Sequence, residues 1–294
     1  MCGIIGYIGD RPATPVLLDG LRRLEYRGYD SAGVALLRDG RIETRRSAGK
    51  ITALEKLIGR KGLDGTVGLG HTRWATHGRP SEENAHPHCH GPFVVVHNGI
   101  IENHLKLRKK LEAAGHRFLS ETDTEIIAVL LAHKYRGDLA RAVSGALKEL
   151  EGSYAVGIIC SEAPDVIVGA RQGSPLVVGV GEGEHFLASD VPAFLSHTRD
   201  VIYLDNDEVA FVGRDTLKIT TTAGKARRRK AERVAWDPVS VERLGFKHFM
   251  LKEIHEQKEA CLNTFRGRFS EEKGKVHLEE AGLDPGRVKT IRRV

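Results

Sequence analysis

Residues 1–10 read MCGIIGYIGD, and this stretch determines how the fold begins. Residues 4–8 are apolar and rich in isoleucine between glycines, which predicts a buried first strand. Gly3 and Gly6 indicate close packing within a sheet. We therefore expect the N-terminus to be held in the sheet and not frayed.

The second residue of the chain is small, which allows an aminopeptidase to remove Met1. Cys2 would then carry a free α-amine beside its thiol. An α-amine has an ordinary pKa of about 7.7–8.0 and a thiol of about 8.5, so one residue offers a base and a nucleophile near working pH. Cys2 can also be interpreted as a small residue at a terminus, and only its surroundings separate the two interpretations.

Apolar patterning predicts the other elements. Helices are predicted over residues 12–24, 104–114, 123–133, 139–150 and 246–256. Strands are predicted over residues 4–8, 33–37, 41–45, 66–73, 92–97, 154–160, 165–170, 175–180, 185–188, 201–203 and 208–212. Strands and helices do not alternate regularly, so the fold class is α+β, with sheets covered by helices.

Composition divides the chain near residue 222. The net charge is +6, and residues 225–294 alone carry an excess of seven positive charges. We expect one domain over residues 2–222, a basic linker over 223–245, and over 246–294 the start of a connection to a further half that is absent. The basic run at 225–230 lacks interleaved aromatic residues and zinc-ligand spacing, so no nucleic-acid partner is expected.

The chain carries no signal for export or membrane insertion. No run reaches the roughly 18 apolar residues of a membrane helix, and the N-terminus lacks a basic region before its apolar residues. The four cysteines are scattered and do not form a disulfide framework. These features predict a cytoplasmic protein with no membrane partner.

Three polar segments lie at strand ends or helix starts, where binding groups usually occur. They are residues 71–78, 96–99 and 120–125. The guanidinium of Arg73 suits the α-carboxylate of an amino acid, and the carboxylate of Asp123 suits its α-ammonium.

Asn98 and the Gly99 amide could together form an oxyanion hole. Each candidate also has a structural interpretation. Asn-Gly is a common turn, Thr122 or Asp123 could cap a helix, and Arg73 could be an exposed strand residue.

Taken together, the motifs closely resemble the glucosamine-6-phosphate synthases, the isomerising glutamine:fructose-6-phosphate aminotransferases. The resemblance covers nearly the whole chain. It is carried by residues 2–6, 23–33, 72–78, 84–88, 97–103, 121–125 and 248–257. The run RLEYRGYDSAG at 23–33 and the segment WATH at 74–77 separate the chain from other amidotransferases with an N-terminal cysteine.

The resemblance implies an N-terminal-nucleophile hydrolase fold with four layers in αββα order. It implies that Cys2 attacks the carboxamide of glutamine, with its own α-amine as base, and forms a γ-glutamyl thioester that water hydrolyses to glutamate. Asn98 and Gly99 would hold the oxyanion. No metal or organic cofactor is implied.

The resemblance also assigns the residues that bind L-glutamine. Arg73, with Thr76 and His77 nearby, would hold the α-carboxylate, and Asp123 would hold the α-ammonium. Trp74 lies on the loop that closes over glutamine in this family and controls the passage of ammonia.

Two departures from the family pattern limit the expectation. Lys258 follows Gln257, where family members usually have proline, and no sugar-phosphate-binding domain follows. We expect glutamine hydrolysis from this chain, with fructose 6-phosphate acting only through a missing or separate isomerase half. The alternative is an idle or regulatory fragment that works only with such a chain. A homodimer is compatible with either.

The run His86-Pro87-His88-Cys89-His90 suggests a second alternative, a metal-binding module. Zinc ligands are usually separated by two or more residues, and adjacent side chains rarely converge on one ion. We therefore predict that no metal is bound there.

Overall fold

The computed structural model describes residues 2–28, 30–74 and 78–234, and in the C-terminal part residues 246, 249–265, 268–270, 274–276, 286 and 289–290. The chain divides into two compact units, Met1–Gly245 and Phe246–Val294.

The first sheet of the larger unit contains eight strands among the described residues. They are β1 (Gly3–Ile8), β2 (Ser31–Arg38), β3 (Arg41–Ala48), β4 (Val67–Arg73), β9 (Val177–Val180), β10 (His185–Ala188), β11 (Asp200–Tyr203) and β15 (Glu232–Arg233). Their order across the sheet is β15-β11-β9-β10-β1-β4-β2-β3. The first strand of the chain thus lies inside the sheet, antiparallel to β10 and β4.

The second sheet contains seven strands in the part of the chain that the structure describes. They are β5 (His88–His90), β6 (Phe93–Ile101), β7 (Gly152–Cys160), β8 (Ala163–Gln172), β12 (Glu208–Val212), β13 (Leu217–Thr221) and β14 (Ala226–Arg227). Their order is β14-β13-β12-β8-β7-β6-β5. The pairings between neighbours are antiparallel.

Helices cover the outer face of each sheet. The helices α1 (Ala13–Leu24) and α2 (Ile51–Ile58) pack on the first sheet, and α3 (His104–Ala113), α4 (Thr124–Lys134) and α5 (Leu139–Leu147) pack on the second. A third apolar cluster fills the space between the sheets. The layers are therefore helix, sheet, sheet and helix, as predicted.

Strand alternation divides the apolar residues among these layers. Side chains of a strand point alternately to its two faces. In β1, Ile5 and Tyr7 join the cluster under α1, whereas Ile4 and Ile8 join the cluster between the sheets. Both faces of β1 are buried, which is why this strand has a nearly continuous apolar sequence.

Some elements differ from the prediction. Helix α2 was not predicted; it has only eight residues, and its N-cap residue, Lys50, makes no capping hydrogen bond with its side chain. Its buried residues Ile51, Leu54 and Ile58 nevertheless follow helical spacing. Strands β5 and β13 were also missed. The short strands β14 and β15 lie within residues 223–245, so strand pairing extends into the segment predicted as a linker.

The smaller unit begins with α6 (Phe249–Phe265), where a helix was predicted from residue 246. The strands β16 (Phe269–Ser270) and β17 (Lys275–Val276) follow it and pair antiparallel. Across the described residues of both units, no helix combines the length and the apolar character that crossing a membrane requires.

Candidate active site

The site lies where the layer between the two sheets changes from apolar to polar. In β4, Val67 and Leu69 belong to this layer, and His71 and Arg73 continue the same alternation. Cys2 has the same alternation as Ile4 in β1. Strand pairing places β1 beside β4, so the polar ends of the two strands meet.

The N-terminal strand is fixed at this point by the segment after β10. The backbone N–H of Ile4 donates to Ser189 Oγ at 3.0 Å, and the N–H of Ser189 donates to the Ile4 carbonyl at 3.1 Å. Cys2 therefore precedes an anchored strand, which matches the expectation that the terminus is held.

The Cys2 thiol lies against the backbone of Trp74. The Trp74 N–H donates to Cys2 Sγ at 3.2 Å, and the thiol lies 3.6 Å from the Trp74 carbonyl oxygen. Burial raises the pKa of the Cys2 thiol, while the Trp74 N–H and the positive charges of Arg73 and Arg27 act to lower it. The thiol is thus mainly protonated at neutral pH, and a nearby base is needed to activate it.

The RGYDSAG segment, residues 27–33, supports the Arg73–Trp74 backbone. The N–H of Asp30 donates to the Arg73 carbonyl at 2.9 Å. A side chain at Gly28 would place its Cβ 2.9 Å from the Trp74 nitrogen, so the close approach requires glycine. The segment 27–33 therefore holds in place the backbone that contacts the Cys2 thiol.

The segment 27–33 also contributes an ion pair that was not predicted. Arg27 Nη1 donates to Asp190 Oδ2 at 2.6 Å, and both side chains are largely buried. Tyr26 donates its hydroxyl to the same oxygen at 3.1 Å. The two partners are 163 residues apart in sequence, so no local pattern could have indicated this pair.

Asn98 and Gly99 lie within β6, not in a turn. Asn98 Nδ2 donates to the Cys2 carbonyl oxygen at 3.0 Å, which brings the amide to the nucleophile. Gly99 has φ +129°, and a Cβ there would overlap the carbonyl oxygen of Ser153 on β7. Only glycine is compatible with this backbone conformation beside Asn98.

Arg73 is buried, contrary to its interpretation as an exposed strand residue. Its guanidinium donates to the Gly78 and Arg79 carbonyls at 3.3 and 3.4 Å. Burial lowers the pKa of Arg73, and a Cys2 thiolate, when the thiol is ionised, and the negative charge of Asp123 oppose this effect. Arg73 stays cationic because an arginine pKa begins far above neutral pH.

Asp123 occupies the N-cap position of α4 but does not cap it with its side chain. Its Oδ2 instead accepts from the N–H of Ile101 at the end of β6, at 2.8 Å. Oδ1 lies 3.9 Å from His97 Nδ1. The carboxylate is thus fixed to the strand that carries Asn98, although it comes from a different element.

Asn84 joins the two loops that carry these residues, and it was not predicted as a site residue. Its Nδ2 donates to the Arg79 carbonyl at 3.1 Å and to Glu121 Oε2 at 2.8 Å. Its Oδ1 accepts from the Glu121 N–H at 2.9 Å. Asn84 therefore bridges the loop that receives Arg73 and the loop that precedes Asp123.

The predicted binding residues Thr76 and His77 lie outside the described residues. The Trp74 side chain is 48% exposed, while its backbone contacts the thiol. The structure thus brings the partly buried Cys2 together with the buried residues Arg73 and Asn98, and Trp74 lies at the surface of this region.

The side chains of the histidine-rich run at 86–90 contact different parts of the structure. The His86 ring packs on His71 with centroids 4.1 Å apart, and His88 Nε2 lies 2.9 Å from Thr122 Oγ1. Cys89 Sγ lies 3.5 Å from Thr44 Oγ1 on another strand. Within the described part of the chain, no group of three or more His, Cys, Asp or Glu side chains is arranged to hold a metal ion.

Comparisons with known proteins show what the chain is similar to. Residues 71–196 match the sequence model of a family described as "Glutamine amidotransferase domain". The glutamine–fructose-6-phosphate aminotransferase (isomerizing) of Symbiobacterium thermophilum is 52% identical over 296 residues, which is 100% of this chain and 49% of that protein. This chain therefore contains a glutamine amidotransferase domain. The matches confirm the resemblance drawn from the sequence.

Two further proteins are similar to this chain. The protein of the same name from Methanosarcina mazei is 49% identical over 308 residues, again covering 100% of this chain and 49% of the relative. Among solved structures, the glutamine phosphoribosylpyrophosphate amidotransferase of B. subtilis has a TM-score of 0.68 over 77% of this chain and 50% of that one. At 24% identity this similarity shows a shared fold. The chain spans about half the length of the curated relatives it matches.

Proposed function

We propose that this chain hydrolyses L-glutamine to glutamate and ammonia through a thioester on Cys2. One observation supports this most strongly: the Cys2 thiol lies 3.2 Å from the Trp74 N–H, and the Asn98 amide donates to the Cys2 carbonyl at 3.0 Å. Cys2, the proposed nucleophile, therefore lies close to the side-chain amide of Asn98. The buried cation Arg73 directly precedes Trp74, whose N–H donates to the thiol.

The first step forms the thioester. After removal of Met1, the Cys2 α-amine takes the thiol proton, and sulfur bonds to the carbonyl carbon (Cδ) of the glutamine carboxamide. The carbonyl oxygen becomes an oxyanion held by Asn98 Nδ2 and the Gly99 N–H. The protonated α-amine of Cys2 then gives this proton to the leaving nitrogen of the carboxamide. The carbon–nitrogen bond breaks, and ammonia departs.

The second step regenerates the thiol. Water gives a proton to the same amine and attacks the thioester carbon, and the carbon–sulfur bond breaks to release glutamate. The sulfur recovers the proton from the amine. Arg73 on the α-carboxylate and Asp123 on the α-ammonium fix the substrate through both steps, with Thr76, His77 and Trp74 proposed beside them.

Glutamate release from glutamine tests this proposal directly. The wild-type chain is compared with Cys2→Ala and with Cys89→Ala, which removes an exposed thiol on the edge strand β5. We expect Cys2→Ala to abolish release and Cys89→Ala to retain it. Equal rates for wild type and Cys2→Ala would rule out Cys2 as the nucleophile.

We further propose that the ammonia serves glucosamine 6-phosphate synthesis from fructose 6-phosphate, on a separate isomerase half. The matched relatives bear the name of that whole reaction and are about twice as long as this chain. Release of glutamate only when an isomerase half from such a relative is added would favour a regulatory fragment over an independent glutaminase. A cytoplasmic location and a homodimer stay predictions.

A further inference from the structure

The imidazole of His71 contacts the Asn98 side chain. His71 is on β4, two residues before Arg73, and its side chain has no solvent exposure. Its Nε2 lies 3.0 Å from Asn98 Oδ1 and 3.1 Å from the His97 carbonyl oxygen. The ring therefore contacts the oxygen end of the amide whose nitrogen end contacts Cys2.

The two oxygens determine which ring nitrogen carries the proton. An amide oxygen and a backbone carbonyl can only accept, so His71 Nε2 must donate. Burial lowers the pKa of His71 to about 3, so the ring is neutral and Nδ1 carries no hydrogen. Consistent with this tautomer, Nδ1 has no hydrogen-bond partner among the described residues.

The contact with His86 agrees with this assignment. His86 Nδ1 lies 3.2 Å from His71 Nε2, and burial holds the pKa of His86 well below its usual value. A neutral His86 with a bare Nδ1 presents another acceptor to the same N–H. All three neighbours of Nε2 are thus compatible with a single donor at this atom.

A donor at this place controls the orientation of the Asn98 amide. An asparagine amide can rotate by half a turn, which exchanges its oxygen and nitrogen. The correct rotamer places Nδ2 on the Cys2 carbonyl, and its second hydrogen has no partner in the described residues. The flipped rotamer would place Oδ1 there and repel an oxyanion.

We propose that His71 is a positioning residue for glutamine hydrolysis, which holds the Asn98 amide by donating from Nε2 to Oδ1. The inference rests on the proposed function. Asn98 would be the group that meets the oxyanion, and His71 would act only through it.

A matched pair of variants tests this role. His71→Gln keeps an N–H donor at a similar reach from the backbone, whereas His71→Met has similar bulk and no donor. Loss of a whole oxyanion donor costs about 10²–10³ in kcat. Without the His71 donor, the Asn98 amide would still adopt the correct orientation part of the time. We therefore expect His71→Met to lower kcat by about 10-fold to 100-fold with little change in KM. His71→Gln should recover most of this loss.

The same variants in an Asn98→Ala background separate positioning from a general structural effect. Because His71 acts through Asn98, His71→Met should not lower kcat further in that background. Alkylation of Cys2 by iodoacetamide, which needs no oxyanion hole, should be similar in all variants, and circular dichroism should show each variant folded at the assay temperature. A lower Tm is expected for His71→Met, because the buried oxygens of Asn98 and His97 lose their donor. An equal loss in both backgrounds, or an equal loss for glutamine and methionine, would overturn the proposal.

A measurement independent of turnover keeps the inference separable from the proposed function. Imidazole ¹⁵N NMR of the labelled chain reports the tautomer of His71. We expect a neutral ring with the proton on Nε2 between pH 5 and 8, even if the isolated chain released no glutamate. A proton on Nδ1, or a ring that becomes cationic in this range, would contradict the assignment.

Discussion

Asp123 has two separable tasks, and an isosteric change distinguishes them. Its Oδ2 accepts from the buried N–H of Ile101 at 2.8 Å, and we propose that its charge holds the α-ammonium of glutamine. Asp123→Asn keeps an oxygen for Ile101 but removes the charge. Asp123→Ala removes both.

The expected magnitudes follow from these contacts. A hydrogen bond to a charged group contributes about 1.5–3 kcal/mol, so Asp123→Asn should lower kcat/KM for glutamine by about 10-fold to 150-fold, mainly through KM. Its Tm should stay near the wild-type value. Asp123→Ala also leaves the Ile101 N–H without its acceptor, which costs about 1–3 kcal/mol and lowers Tm by roughly 2–12 °C.

Steady-state glutamate release and thermal unfolding measure the two effects separately. Arg108→Ala, a change at a partly exposed residue whose Nη1 donates to the Ser120 carbonyl, serves as a control for the same loop without altering the charge at Asp123. An unchanged KM in Asp123→Asn would refute the ammonium role. Equal losses of Tm in the asparagine and alanine variants would refute the role of the Ile101 hydrogen bond.

Three further changes probe other parts of the site. Gly99→Ala should abolish activity and lower Tm, because its φ is +129° and a Cβ would overlap the Ser153 carbonyl; wild-type circular dichroism and activity would contradict this. Burial raises the pKa of the Cys2 thiol, so alkylation of Cys2, followed by peptide mass, should increase with pH and reach half its maximum above about 8.5; a plateau below pH 7 would oppose it. Asn84→Ala should raise KM several-fold by uncoupling the loops it bridges through Glu121, whereas an unchanged KM in glutamate-release kinetics would show that the bridge is dispensable.

Strand alternation made much of the fold and part of the site accessible from sequence. The apolar residues of β1 and β4 occupy alternate faces, and the polar residues that end these strands continue the alternation into the site. Arg73 and Asn98 were predicted as site residues because polar binding groups stand at the ends of apolar strands, and Cys2 was predicted because it follows Met1. His71 has the same alternation as Arg73 and could have been found by this signal.

Contacts between distant segments were not accessible in this way. The ion pair between Arg27 and Asp190 joins residues 163 positions apart, and Asn84 reaches Glu121 across 37 positions. Arg27 and Asn84 lie in the segments 23–33 and 84–88 that carry the resemblance, but no local pattern there indicates their distant partners. For Asp123, the local pattern gave an interpretation that the structure does not support. Its position at a helix start predicted that its side chain could cap the helix, but its carboxylate instead accepts from the N–H of Ile101 on another element.

The central claim is that Cys2, with its own α-amine exposed, is the nucleophile for glutamine. Intact mass of the purified chain, before and after treatment with a glutamine analogue that carries a diazoketone in place of the carboxamide, tests it most directly. We predict a mass lacking Met1, a single adduct that maps to Cys2, and protection by excess glutamine. Glutamate release by a chain that retains Met1, or an adduct on another residue with activity lost, would contradict the claim.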